Sequence, residues 1–372
     1  MTLFVGAFNN PVSSNFFGSG AGAKVQCEII NSLRSNNNDF KALVMPEVPS
    51  WPSSKLFIKS DVVGDYIRFM PILNISFLKR FVFFVQVLIF LFKNKPSSIF
   101  FYNSSLLSCV FSYIFRFFGC KRVLILQDVH VPNFKSFSSY LNPKNIIYYT
   151  YLKFLPFCYD YFIPITESCI SELNLPSARS EVFAGAVPLH RLNQIKSKSS
   201  TSGNYAVFAG AIEPYNGIDL LLENWPRTDD SFKIHVFGTG SVAEYVSRMG
   251  KVNPNIVYHG FKSPEVVDEY LLNSKINFCF RYSKVICQNY FFPSKFFDLI
   301  NLSGFLVCNR FENIPYELSD YVIFSNDDLT DIPQIIHECS ISIRNTDALN
   351  DLVSMKYTWQ FFLNDFCKRY FL

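Results

Sequence analysis

Two series of short apolar runs, separated by segments of helical length, set the strongest constraint on how this chain folds. The first series reads "TLFVGAF" (2–8), "KALVM" (41–45), "SIFFY" (98–102), "RVLILQ" (122–127), "YFIPIT" (161–166) and "SEVFA" (180–184), with segments such as 22–34 and 104–118 between them. Runs of this length suit strands buried on both faces, and their alternation with helices implies a mostly parallel sheet. A polar tract, "NQIKSKSSTSGN" (193–204), has nothing to bury and reads as a linker. The pattern then restarts with "YAVFAGAI" (205–212), "FKIHVFGTG" (232–240), "NIVYHGF" (255–261), "KINFCF" (275–280), "GFLVCN" (304–309) and "YVIFS" (321–325). The expected fold class is therefore α/β, with two doubly wound sheets in tandem, and 372 residues exceed what one core usually serves. The expected domains are 1–195 and 205–355, followed by an aromatic helix over 356–372. Sheets of this kind bind ligands beyond the carboxyl ends of their strands, and paired domains create a cleft.

Charge separates the halves more sharply than the net +4 suggests. Residues 1–200 hold 20 Lys and Arg against 10 Asp and Glu, a balance of +10; the remainder holds 14 against 20, a balance of −6. A basic first half rich in aromatics points to an anionic surface as its partner. The longest apolar stretch, "FVFFVQVLIFLF" (81–92), is flanked by Lys79, Arg80, Lys93 and Lys95. Twelve residues rising about 1.5 Å each cannot cross a hydrocarbon core of about 30 Å. The stretch is either a buried core helix or one lying in a membrane interface, and "YIFRFFGCKR" (113–122) has the same aromatic and basic character.

The ten cysteines show no ligand-like spacing and read as buried cytosolic thiols, so no metal site and no disulfide framework is expected. The start, "MTLFVGAFNN", lacks a basic segment followed by a cleavable apolar one and reads as a first strand, and a cytoplasmic location is the expectation.

Polar and glycine positions fall just after several strands. In "GAIEPYNGIDLLLENW" (210–225), Gly217 opens a helix whose first N–H groups suit a phosphate. "VFGTGS" (236–241) is a strand followed by a glycine turn, without the third glycine or the distant acid of a dinucleotide site. Arg281 follows "KINFCF", and in "FFPSKFFDLINLSGFLVCN" (291–309) Pro293 opens a helix carrying Ser294, Lys295 and Asp298. Lys295 and Asp298 stand three apart on one face, an ordinary surface pair by spacing alone, yet five apolar neighbours leave little surface for stray charge.

The succession "FAGAIEPYNGIDLLLENW", "VFGTGS", "IVYHGF", "FPSKFFDLINLSGFLVCN" and a terminal aromatic helix resembles the C-terminal domain of GT-B glycosyltransferases, especially the glycosyltransferase family 4-like enzymes of bacterial surface polysaccharide (O-antigen or capsule) synthesis. In the first half, "NNPVSSNFFGSGAGAKVQCEIINSL" (9–33) is similar to that family's glycine-rich loop beside the acceptor and donor phosphates, with Gly18, Gly20 and Gly22. "LILQDVHVP" (125–133) and "FIPITES" (162–168) fall where the family has cleft-lining strand ends. The resemblance implies two Rossmann-like domains, a nucleotide-sugar held mainly by the second, and a last helix crossing back to the first. It implies Lys295 facing the donor diphosphate with Ser294 beside it, Asp298 accepting from ribose hydroxyls, and Gly210, Gly217, Gly238 and Gly240 allowing close backbone approach. It implies that Asp128 or His130 acts near the acceptor hydroxyl, the latter as a proton carrier unless it is a structural histidine. Two departures are plain. Where the family commonly has a glutamate eight residues before the ribose carboxylate, this chain has Tyr290, with Gln288 and Asn289 beside it. Where many members have an Arg and a Lys in the loop after the first strand of this domain, Ala211 and Asn216 stand, and Arg281 is the cation left to supply that charge.

The expected activity is transfer of a sugar from a nucleotide diphosphate sugar to a lipid-linked saccharide at the inner face of the cell membrane, with peripheral contact through 79–95 and 113–122. By resemblance it is a retaining transfer. Neither cofactor nor nucleic acid is expected, and since no DxD-like pair stands at a strand end, neither is a metal. Two rival readings stand beside it: a nucleotide-sugar 2-epimerase of the same fold, and a noncatalytic membrane-associated protein.

Overall fold

A computed structural model describes residues 1–9, 20–129, 141–189, 191–192, 203–227, 232–282 and 290–371. The linker tract 193–204 therefore lies almost wholly outside the described residues. The chain divides into two compact units, one built from Met1–Ala184, Asn289–Phe291 and Trp359–Leu372, the other from Gly185–Gln288 and Phe292–Thr358. The division comes earlier than residue 195 because Val187 and Arg191 are held by the second unit: the Val187 N–H donates to the Tyr357 carbonyl and Arg191 pairs with Asp268.

The first unit contains β1 (Thr2–Ala7), β2 (Phe40–Met45), the short β3 (Phe57–Ile58), β4 (Asp61–Val63), β5 (Ile67–Phe69) and β6 (Ile72–Leu73), then β7 (Ser98–Tyr102), β8 (Lys121–Leu126) and β9 (Tyr161–Pro164). Its main sheet has the order β4-β5-β2-β1-β7-β8-β9, parallel throughout except for the antiparallel β4–β5 pair. The central strands are buried along their length, which is why they read as unbroken apolar runs rather than alternating ones. "SEVFA" forms no strand. Ser180 makes a single bridge to Phe162, and the Glu181 and Phe183 N–H groups continue the contact to the Phe162 and Pro164 carbonyls. Extended backbone bonded on one side in this way falls short of a ladder.

The stretch 81–92 lies in a helix, Ser76–Asn94, with both buried and exposed apolar side chains. Phe83, Phe84, Val87 and Leu91 are buried, while Phe81, Ile89 and Phe92 are exposed. Among the described residues no helix is long and apolar enough to cross a membrane. The terminal aromatic segment 356–372 forms the helix Trp359–Phe371, preceded by a separate helix, Asp347–Lys356. The terminal helix packs within the first unit against the helix Gly20–Asn36, with Phe362 stacked on Phe183 and Arg369 paired with Glu181.

The second unit contains β10 (Tyr205–Ala209), β11 (Lys233–Phe237), β12 (Ile256–Gly260), β13 (Ile276–Phe278), β14 (Phe305–Asn309) and β15 (Val322–Ser325), all parallel, in the order β12-β11-β10-β13-β14-β15. Its core includes Phe208, Ile234, Val236, Trp225, Phe278 and Ile336. Toward the β12 edge, the His235 Nδ1 and His259 Nε2 atoms lie 2.8 Å apart, and His259 stacks on Phe237 with ring centroids 4.4 Å apart.

Burial, with His259 and Lys233 adding like charge, pulls the His235 pKa down to about 4, and burial lowers that of His259 as well. The unfolded chain then binds protons that the folded one refuses. The stabilisation is present above the ordinary histidine value of about 6.5 and is lost as pH falls from there toward about 4. Between pH about 6.5 and about 4 wild type should lose roughly 1–2 kcal/mol relative to His235→Phe, read as a pH-dependent difference between their thermal midpoints, a figure reduced because the rings are half-exposed. Parallel curves would contradict the pair's role.

Candidate functional site

In the second sheet the strand order reverses between β10 and β13, which run side by side while their successors lead away in opposite directions. A crevice at the carboxyl ends beside such a switch point is where doubly wound sheets hold ligands. The segments leaving β10, β11 and β13 at this end carry Gly210, Gly238 and Arg281, and β14 ends here on Asn309. They are tied to one another.

Gly238 has φ +132°, and a Cβ there would run into the Gly210 carbonyl oxygen, so the two strand-end loops meet backbone to backbone. Lys295 reaches this junction from the helix Ser294–Leu299: its Cε and Nζ lie 3.0 Å from where a Cβ on Gly210 would stand. The side chain is half-buried, as is Asp298 on the same helix, whereas Ser294 is exposed. Pro293 is the residue preceding this helix rather than its first turn. Phe296 and Phe297 are fully buried and pack with Phe292, which fixes the helix so that its polar residues keep their direction. Gly240 packs against the Ile212 carbonyl, where any Cβ would collide.

A second set of contacts locks the loop after β10. Arg281 Nη1 donates to Asn216 Oδ1 at 2.8 Å, Asn216 Nδ2 donates to the Ala211 carbonyl at 2.8 Å, and the Arg281 guanidinium lies over the Tyr215 ring. The Arg281 N–H donates to Asn309 Oδ1, whose amide returns a bond to the Arg281 carbonyl. Burial lowers the Arg281 pKa from its usual value, yet a guanidinium remains charged at neutral pH. Glu213 accepts from both the N–H and the hydroxyl of Ser241, which joins the loops after β10 and β11 and holds its carboxyl below the usual range. Gly217 does open a helix, in the left-handed region at φ +67°, but Ile218–Glu223 is six residues long, so its dipole adds little.

The first unit places the remaining candidates. Gly20 and Gly22 lie in the first turn of the helix Gly20–Asn36, while Gly18 is outside the described residues. The Gln26 amide joins that helix to the end of β1: Nε2 donates to the Ala7 carbonyl at 2.8 Å and Oε1 accepts from the Ala7 N–H at 3.0 Å. Asp128 is exposed just past β8, its N–H donating to Asn103 Oδ1 at 3.0 Å. His130 and Asn289 lie outside the described residues. Tyr290 is buried in the first unit, its hydroxyl donating to Glu172 at 3.3 Å. The structure thus brings Gly210, Gly238 and Lys295 together, and separately Asn216 and Arg281. Asn309, Asn103 and Gln26 were not singled out from the sequence, although the two asparagines are polar residues terminating or directly following buried strands.

No family model and no curated protein sequence matches the chain. Solved structures do match it along its whole length. The lipopolysaccharide outer core galactosyltransferase WaaB is 14% identical with a TM-score of 0.62, covering 100% of this chain and 99% of that one. HepE from Anabaena, solved in complex with UDP, is 10% identical with a TM-score of 0.58, over 99% and 98% of the two chains. A Listeria monocytogenes protein described as a UDP-N-acetylglucosamine 2-epimerase is 8% identical with a TM-score of 0.53, over 98% and 94%. With the two mostly parallel sheets, this likeness assigns the chain the GT-B fold of two Rossmann-like domains.

Proposed function

We propose that the protein is a family 4-like glycosyltransferase that moves a sugar from a nucleotide diphosphate sugar to a hydroxyl of a lipid-linked saccharide in O-antigen or capsule synthesis. The observation that carries this reading is the Lys295 ammonium seated against the Gly210–Gly238 backbone junction at the switch point. Breaking a glycosidic bond to a diphosphate leaves negative charge on the departing group. A cation held in place there before reaction stabilises that charge without reorganisation. Arg281 adds positive potential and keeps the loop after β10 in position through Asn216, while Asp298 accepts from ribose hydroxyls. HepE, solved with UDP, and WaaB, a lipopolysaccharide galactosyltransferase, support donor and acceptor classes of this kind. The reaction proceeds with retention and without metal or cofactor, and Asp128 or His130 acts near the acceptor hydroxyl.

The protein works at the inner face of the cell membrane. The helices Ser76–Asn94 and Leu106–Phe115 turn Phe81, Ile89, Phe92, Val110 and Tyr113 outward, beside Arg80, Lys93 and Lys95. Apolar side chains among cations match an anionic bilayer.

The likeness to the protein described as a 2-epimerase supports a second reading, conversion of the nucleotide-sugar without an acceptor. Incubation of metal-free enzyme with a nucleotide-sugar, with and without membrane lipid extract, separates the two. Acceptor-dependent sugar transfer is expected. An epimerised nucleotide-sugar formed without acceptor, or strict dependence on added manganese, would count against the proposal.

A further inference from the structure

At the opposite end of the first sheet, the amino ends of β8 and β9, lies a cavity of about 400 Å³. It is lined by Arg116, Lys121, Arg122 and Arg179 with a single carboxylate, Asp160. Arg122 is fully engaged: Nε and Nη2 donate to the two Asp160 oxygens at 2.9 and 2.6 Å, and Nη1 donates to the Ser112 and Cys158 carbonyls. That pair is neutral. The other three cations have no comparable carboxylate partner among the described residues. Lys121 Nζ donates to the Tyr370 carbonyl and Arg179 Nη1 to the Asp160 carbonyl, contacts that leave their charges standing. Among the described residues, no carboxylate forms an ion pair with Arg116, Lys121 or Arg179.

We propose that this pocket is a second anion site, taking the phosphate ester of a lipid headgroup. Guanidinium forks fit phosphate oxygens two at a time, and two of these three cations are arginines. Exposed aromatic residues adjoining the lining in sequence or by contact distinguish a lipid from a free phosphate. Phe117, next to Arg116, is 81% exposed, Phe157 at the end of the helix Pro143–Cys158 is 68% exposed, and Phe92, edge-on to Phe118, is 64% exposed. Exposed aromatic side chains on the segments that carry a cationic pocket suit a headgroup that arrives with its acyl chains. The length of β8 separates this pocket from Asp128, the acceptor-side candidate, by about 20 Å, and the donor-site residues Gly210, Gly238 and Lys295 belong to the second unit.

The inference rests on the membrane-facing reading above, and its test keeps the two apart. Monomeric dihexanoyl phosphatidylglycerol, glycerol phosphate and inorganic phosphate are titrated separately into wild type, Arg116→Ala/Arg179→Ala and Lys93→Ala/Lys95→Ala. Vesicles of phosphatidylcholine with and without phosphatidylglycerol are sedimented with each protein. Both arginines are exposed and the Arg122–Asp160 pair is untouched, so the pocket variant should fold, as its thermal midpoint will report. Expected is saturable binding of the short-chain lipid, weakened at least about tenfold in the arginine variant and little in the lysine variant. Equal binding of glycerol phosphate or inorganic phosphate overturns the lipid assignment, and equal lipid binding by both variants overturns the pocket. Wild type that binds the soluble lipid but ignores anionic vesicles contradicts the membrane reading while leaving the pocket standing.

Discussion

Lys295→Ala should lower kcat/KM for sugar transfer by roughly a hundred- to a thousandfold, the usual consequence of removing one preorganised charge from a developing anion. The loss should fall mainly on kcat, because the charge on the leaving diphosphate grows as the bond breaks. Lys295→Arg should recover part of it. The side chain projects from a helix held by buried Phe296 and Phe297, so neither substitution should shift the thermal midpoint by more than a few degrees. Steady-state kinetics with a competent donor and acceptor make the comparison. Unchanged kcat in Lys295→Ala would remove the residue from the mechanism.

Arg344→Met should destabilise the second unit by about 3 kcal/mol and weaken the site as well. The Arg344 guanidinium donates to four carbonyls, those of Ile300, Leu302, Gly304 and Tyr321. Ile300 closes the helix that carries Lys295 and Asp298, and Gly304 directly precedes β14. One side chain therefore fastens the end of the Lys295 helix to the start of the strand that bears Asn309. Burial pulls its pKa down to about 10, which leaves it charged at neutral pH. Methionine keeps the stem but abandons four acceptors that have few other partners, and buried acceptors left without a donor cost about 1–3 kcal/mol each when relaxation and water do not relieve them. Urea unfolding measures the loss, and nucleotide affinity measured well below the transition reports whether the Lys295 helix has moved. Stability within about 0.5 kcal/mol of wild type would show that the carbonyls find other partners.

The sheets were legible because parallel strands buried on both faces must be apolar nearly throughout: "SIFFY" and β7 coincide residue for residue. "SEVFA" misled because extended chain lying against one strand carries the same apolar residues as a strand paired along its length. The site was legible where composition conflicted with context. A lysine and a carboxylate amid phenylalanines marked the Lys295 helix, and glycines after strands marked the backbone contact of Gly238 with Gly210. What spacing cannot convey is pairing across distant segments. Asn309 meets Arg281 because β13 and β14 are neighbours, and Gln26 meets Ala7 because the first helix returns along β1. Tyr290, aligned by sequence with a donor-sugar glutamate, is buried in the first unit against Glu172, whereas Phe292 two residues on belongs to the second.

The central claim is that the Lys295 helix and the Gly210–Gly238 junction form a nucleotide diphosphate site. Calorimetric titration of UDP and the other nucleoside diphosphates into wild type, Lys295→Ala and Asp298→Ala tests it directly. Saturable binding of at least one nucleotide to wild type, weakened about tenfold or more in each variant, is the predicted result. Equal affinity in all three proteins, or no binding of any nucleoside diphosphate to wild type, would contradict it.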